Sequence, residues 1–73
     1  MTYKFDDWHA GEISPAKEMA AGGYECSVLV TLADGRPTRS VFTGTGATGD
    51  CARKSAIDLA QHAVWVRGIE YDE

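Results

Sequence analysis

Tyr24-Glu25-Cys26-Ser27-Val28-Leu29-Val30-Thr31-Leu32-Ala33-Asp34-Gly35 is the stretch whose reading decides the fold. It alternates, apart from Leu29, as a half-buried strand does. Tyr24, Cys26, Val28, Val30 and Leu32 fall on one face, and Glu25, Ser27, Leu29 and Thr31 on the other. Asp34-Gly35 then signals a hairpin, because a type I′ turn needs positive φ and glycine supplies it without strain. The return strand is predicted over 37–43. A two-residue turn sets Val41 opposite Val28 and Arg39 opposite Val30, and leaves Leu29 and Phe42 together on the second, mostly polar face.

Downstream lies the joint Gly44-Thr45-Gly46-Ala47-Thr48-Gly49-Asp50, in which Thr48 or Asp50 can cap a helix. The spacing predicts that helix over 51–67. Ala52, Ala56, Leu59, Ala60, Ala63 and Val66 form its apolar stripe, widened by Ile57 and Val64. Lys54, Asp58, Gln61 and Trp65 form the opposite face, and Gly68 is the expected C-terminal cap. Val28, Val30, Val41, Leu59 and Ala63 are the expected core. Upstream, Tyr3 and Phe5 suggest a short edge strand. Ser14-Pro15 reads as a helix N-cap and first helical position, opening a turn or two over 16–21 that Gly22-Gly23 stops. Ile69-Glu70-Tyr71 suggests a final short strand. The expected fold is therefore one α+β domain spanning 1–73. A β-hairpin or small antiparallel sheet of two to four strands packs against one long C-terminal helix.

Seventy-three residues, 44% apolar and 25% charged, suit one globular domain with a small core. No apolar run nears the roughly 20 residues that span a bilayer. The first residues have no apolar signal segment, so the expected location is the cytoplasm. Cys26 and Cys51 read as small buried thiols. Gly44, Gly46 and Gly49 match G-x-G-x-x-G after a strand and before a helix. A dinucleotide fold, however, needs a parallel βαβ unit for which no chain remains. His9 and His62 lack partners at metal-ligand spacing. No Ser-His-Asp or Cys-His set is grouped, so neither an enzyme nor a metal or other cofactor is expected.

Function is then left to the surface. The net charge is −4, and its placement says more than its sum. Asp6, Asp7, Glu12, Glu70, Asp72 and Glu73 lie in the first twelve or last four residues, whereas residues 13–69 are nearly neutral. Acidic ends repel nucleic acid and suit a protein partner with a basic surface. Trp65 projects from the polar helix face. Either the N-terminal segment covers its ring or another molecule does, and base rates favour the first. The candidate partner-binding residues are Trp65, Asp6, Asp7, Glu70, Asp72, Leu29 and Phe42.

The run Gly23-Tyr24-Glu25, the alternating strand, Asp34-Gly35 and the Ala-rich helix with Lys54, Ala56, Ala60 and Trp65 resemble small phage-encoded anti-CRISPR inhibitors of type I systems. The resemblance covers somewhat over half of the chain. It implies a non-enzymatic protein that binds a CRISPR surveillance complex or its nuclease and blocks DNA engagement. The order hairpin, glycine turn, Ala-rich helix is also loosely similar to double-stranded-RNA-binding domains. Those carry a lysine-rich helix start, where this chain has Asp50-Cys51-Ala52-Arg53-Lys54. The alternative readings are a small nucleic-acid or anion-binding module using the joint with Arg39, Arg53 and Lys54, and a homodimeric structural subunit.

Overall fold

The computed structural model describes residues 2–70. In chain order it contains β1 (Thr2–Lys4), β2 (His9–Ile13), β3 (Lys17–Glu18), β4 (Tyr24–Leu32), β5 (Pro37–Gly46) and α1 (Gly49–Trp65). The strands form one antiparallel sheet with α1 packed on one face. β4 is central. β2 and β3 pair in succession along one of its edges, β5 along the other, and β1 extends the sheet beyond β2.

The expected helix over 16–21 is not there. Ser14 N donates to Ser27 O at 2.9 Å, and Ser27 N donates to Ser14 Oγ at 3.0 Å. These bonds carry the chain past Pro15 so that Lys17 and Glu18 continue along β4 opposite Glu25 and Tyr24. A single helical turn fixes many dihedrals for one hydrogen bond, whereas the edge of β4 offers ready partners. Gly22 and Gly23, both at positive φ, then close a tight turn back into β4.

The hairpin register also differs from expectation. The connection is a three-residue loop. Gly35 N donates to Leu32 O at 2.9 Å, Leu32 N to Arg36 O at 2.8 Å, and Gly35 holds φ +92°. That is a turn followed by a left-handed glycine, the next commonest hairpin after the two-residue type. One added residue exchanges the faces of the return strand. The loop alone would set Val28 against Ser40; a bulge beyond Thr31 adds two residues without changing faces, so Val28 pairs with Phe42, and Leu29 with Val41. Phe42 faces the helix and packs against the core, while Val41 is 57% exposed on the open face. The expected burial of Val41 and the expected Leu29–Phe42 patch are both corrected by this shift.

The bulge lies between these pairs and the loop. Thr31 pairs with Pro37 and Leu29 with Val41, so Thr38, Arg39 and Ser40 all stand against Val30. Thr38 and Ser40 are buried, and their hydroxyls are occupied. Thr38 Oγ1 donates to Val30 O at 2.7 Å and accepts from Ser40 N at 3.2 Å. Glu70 N donates to Ser40 Oγ at 2.8 Å, and Arg39 N donates to Glu70 O at 2.8 Å. Residues 69 and 70 are thus tied to the edge of β5 without forming the expected strand, and Ile69 is buried in the core.

α1 begins two residues earlier than expected. Thr48 is its N-cap, accepting from Cys51 N at 3.2 Å. The buried stripe is Ala52, Ala56, Ala60 and Val64, not the expected one centred on Leu59, which is 49% exposed. Ala63 is only half-buried. The reason lies in β5. A Cβ at Gly44 would collide with the backbone of Ala56 and lie 2.7 Å from Ala52 O. One at Gly46 would lie 2.8 Å from Ala52 N. Four helical residues rise about 6 Å and two strand residues about 6.7 Å. Gly46, Gly44, Phe42 and Ser40 therefore step in near-register beneath the i, i+4 row 52, 56, 60, 64. Only alanines fit against the glycines, so the helix rotates to present them and Leu59 moves to the rim.

The helix ends in a Schellman arrangement. Gly68 N donates to Ala63 O at 2.7 Å and Arg67 N to Val64 O at 3.2 Å. The left-handed position is Arg67, at φ +59°, one residue before the expected glycine.

Candidate functional site

The G-x-G-x-x-G match has a structural use. Gly44 and Gly46 receive the helix backbone, and Gly49 is the first helical residue. A shallow cavity at this helix start is lined by Ile13, Ser14, Pro15, Asp50 and Arg53. There Asp50 carries the only acid of the helical first turn and accepts from Arg53 Nη2 at 3.2 Å. Cys26 is buried and donates to Ser14 O at 3.1 Å, whereas Cys51 is exposed, contrary to expectation. Among the described residues, no three His, Cys, Asp or Glu side chains are grouped closely enough to hold a metal ion. No described helix is long and apolar enough to cross a membrane.

Several predicted partner-binding residues converge on one end of the molecule. α1 runs antiparallel to β5, since its start lies over Gly46 and its later turns approach the bulge. Its last turn, with Trp65, therefore lies toward the end of the sheet that carries the Asp34–Gly35 loop. Glu70 reaches the same end through Ser40. From the opposite edge, His9 pairs with Leu32, and Ala33 N donates to Trp8 O at 2.8 Å, which brings Asp6, Asp7 and Trp8 there too. The principal extents are 37 × 20 × 19 Å. Ten residues of β5 at about 3.3 Å each account for the long axis, so the molecule is roughly 20 Å across at this end.

Two large aromatic rings stand bare toward this end. Trp65 is 80% exposed and Trp8 is 74% exposed, with Val66 beside the former at 58%. The intramolecular cover expected for Trp65 is absent, because the N-terminal segment is used up in β1, β2 and the turn between them. Trp8 was not singled out by the sequence. Its signal was an aromatic between Asp7 and His9, in a turn where no apolar period places it in a core.

The acids of this end differ in how free they are. Asp6 Oδ1 accepts from Trp8 N at 2.8 Å and His9 N at 2.7 Å, and the His9 ring lies 3.1 Å away. Slight burial raises the Asp6 pKa, but the Trp8 N–H, the His9 ring and the His9 N–H together outweigh it, and the carboxyl stays below its usual range. Asp6 thus builds the turn that displays Trp8. Asp7 is fully open, with Lys4 Nζ at 3.9 Å across solvent, a pairing that contributes little at such exposure. Asp34 is paired with Arg36 at 2.7 Å. Backbone N–H donation from Arg36 and then its guanidinium hold the Asp34 carboxyl below its usual range. Glu70 is exposed and bonded to the β5 edge through its backbone. Asp72, and the Tyr71 end of the expected last strand, lie outside the described residues.

Leu29 is half-buried on the open sheet face, with Glu12 and Val41 as its cross-strand neighbours, and belongs to a different surface. No family model matches the chain, and neither a curated protein nor a solved structure matches it.

Proposed function

We propose that the protein is a non-enzymatic binding protein that docks its acidic, aromatic end on another protein bearing a basic surface. The observation that carries this reading is the exposure of both Trp8 and Trp65 at one end, rimmed by Asp7 and Glu70. Tryptophan is enriched among the residues that dominate interface energies, and a bare aromatic patch marks an interaction site. Carboxylates at the rim steer a cationic partner and speed encounter. Inhibition of a type I CRISPR surveillance complex or its nuclease is the specific form of this reading that the anti-CRISPR resemblance supports. Such an inhibitor acts by covering a DNA-binding surface, which is itself basic.

Trp65→Ala tests the reading directly. Its ring makes little contact within the chain, so thermal stability should change by less than about 0.5 kcal/mol. Binding to a purified type I surveillance complex, read by competition with target DNA, should weaken by about 2 kcal/mol or more. A parent protein that leaves DNA engagement unchanged would remove the anti-CRISPR form. A Trp65→Ala chain that melts well below the parent would remove the interface assignment itself.

A further inference from the structure

β5 is an edge strand, and its outer edge is guarded over only half its length. Pro37, the bulge and the Arg39–Glu70 hydrogen bond block the first half, all devices that keep sheet edges from pairing. Val41-Phe42-Thr43-Gly44-Thr45-Gly46 carries no charge, no proline and no bulge. Among the described residues, none pairs with its outer edge. An open groove of about 460 Å³ runs beside it, walled by Thr43 and Thr45 below and by Ser55, Asp58, Leu59 and His62 above.

We propose that two copies of this chain associate through the outer edge of Val41–Gly46, pairing antiparallel about a two-fold axis with their helices alongside. The groove sets the middle of the open half-strand level with the middle of the helix, so one axis can pass through both. Around that axis Asp58 of one copy, a carboxylate acceptor, approaches His62 of the other, an imidazole donor. Leu59, 49% exposed, meets its own equivalent. α1 covers β4 as well as β5, so its axis lies inboard of the edge strand. Strand pairing at about 4.8 Å then sets the two helices roughly 10 Å apart, close to the 8–10 Å of packed helices. The open half-strand, being uncharged, adds no like-charge repulsion of its own. The antiparallel pairing sends the two acidic ends to opposite extremes of the dimer, which makes it bivalent.

Sedimentation equilibrium of the unmodified chain, without any partner, should show mass rising toward twice 7.9 kDa between micromolar and submillimolar concentration. Amide exchange at residues 41–46 should slow over the same range. Thr43→Lys places like charges beside the axis on an exposed position and should weaken association about tenfold or more. Leu59→Glu should do the same from the helix side. Lys17→Ala, at the opposite edge of the sheet, should associate as the parent does. A chain that stays monomeric throughout, a dimer whose exchange protection falls on another strand, or folded Thr43→Lys and Leu59→Glu chains that associate unchanged would each overturn the proposal. Capture of an unrelated extended peptide on β5 by a strictly monomeric chain would do so as well.

Discussion

The two halves of β5 meet the rest of the molecule by opposite means. From Pro37 to Ser40 the strand carries side-chain hydroxyls into the core and satisfies each one, Thr38 on Val30 O and Ser40 on Glu70 N. From Gly44 to Gly46 it carries no inward side chain, so the backbone of α1 settles directly on it. The first half gains specificity, because buried hydroxyls tolerate only the geometry that pairs them. The second gains close packing, because nothing stands between two backbones. The same difference decides exposure. The bulged half is tied to the C-terminal segment, while the flat half leaves its outer edge open.

Three substitutions would break or sharpen this comparison. Gly44→Ala should have the largest effect. Its Cβ has no space against Ala56 and Ala52, and the obstruction is helix backbone, which cannot rotate aside. A loss of about 3 kcal/mol or more, at or beyond the upper end of ordinary overpacking, should appear in urea unfolding. A Gly44→Ala chain as stable as the parent would show that the helix does not rest on β5. Thr38→Val comes next. It conserves volume but leaves Val30 O and Ser40 N without their buried partner, so about 1–3 kcal/mol should be lost. A neutral result would mean that the bulge is held by backbone pairing alone. Ser40→Ala should be mildest, about 1 kcal/mol, and local. Its clearest sign would be faster hydrogen exchange at the Glu70 amide, with the Gly44 side of the strand undisturbed.

What was legible in the sequence follows from period. Alternation fixes β4, and its inward Cys26, Val28 and Val30 are buried as expected. The 3.6-residue repeat fixes α1, and Thr48 caps it as the joint suggested. Period is silent where two arrangements share it. The stripe containing Leu59 and the stripe of Ala52, Ala56, Ala60 and Val64 overlap on one helix. Only the glycines of the opposing strand choose between them, by excluding every side chain larger than a methyl. Ser14-Pro15 and the residues after it read as the start of a short helix, but the unfilled edge of β4 takes Lys17 and Glu18 as a strand instead.

The candidate site divides the same way. The departure of Trp65 from the apolar stripe was legible, because a tryptophan among Lys54 and Asp58 on a polar face has no place in the helix's own packing. Its bare ring was not, since base rates favour cover by the N-terminal segment. Trp8 was not, because no period runs through the β1–β2 turn. The sequence by itself determined which elements form, since hydrogen-bond period and side-chain alternation are properties of a chain segment. Only the tertiary structure decided that a three-residue turn puts Phe42 inside and Val41 outside. It alone brought Trp8, fifty-seven residues from Trp65, to the same end of the sheet. Register, helix rotation and the meeting of distant residues are set by contacts between segments, and no segment carries that information alone.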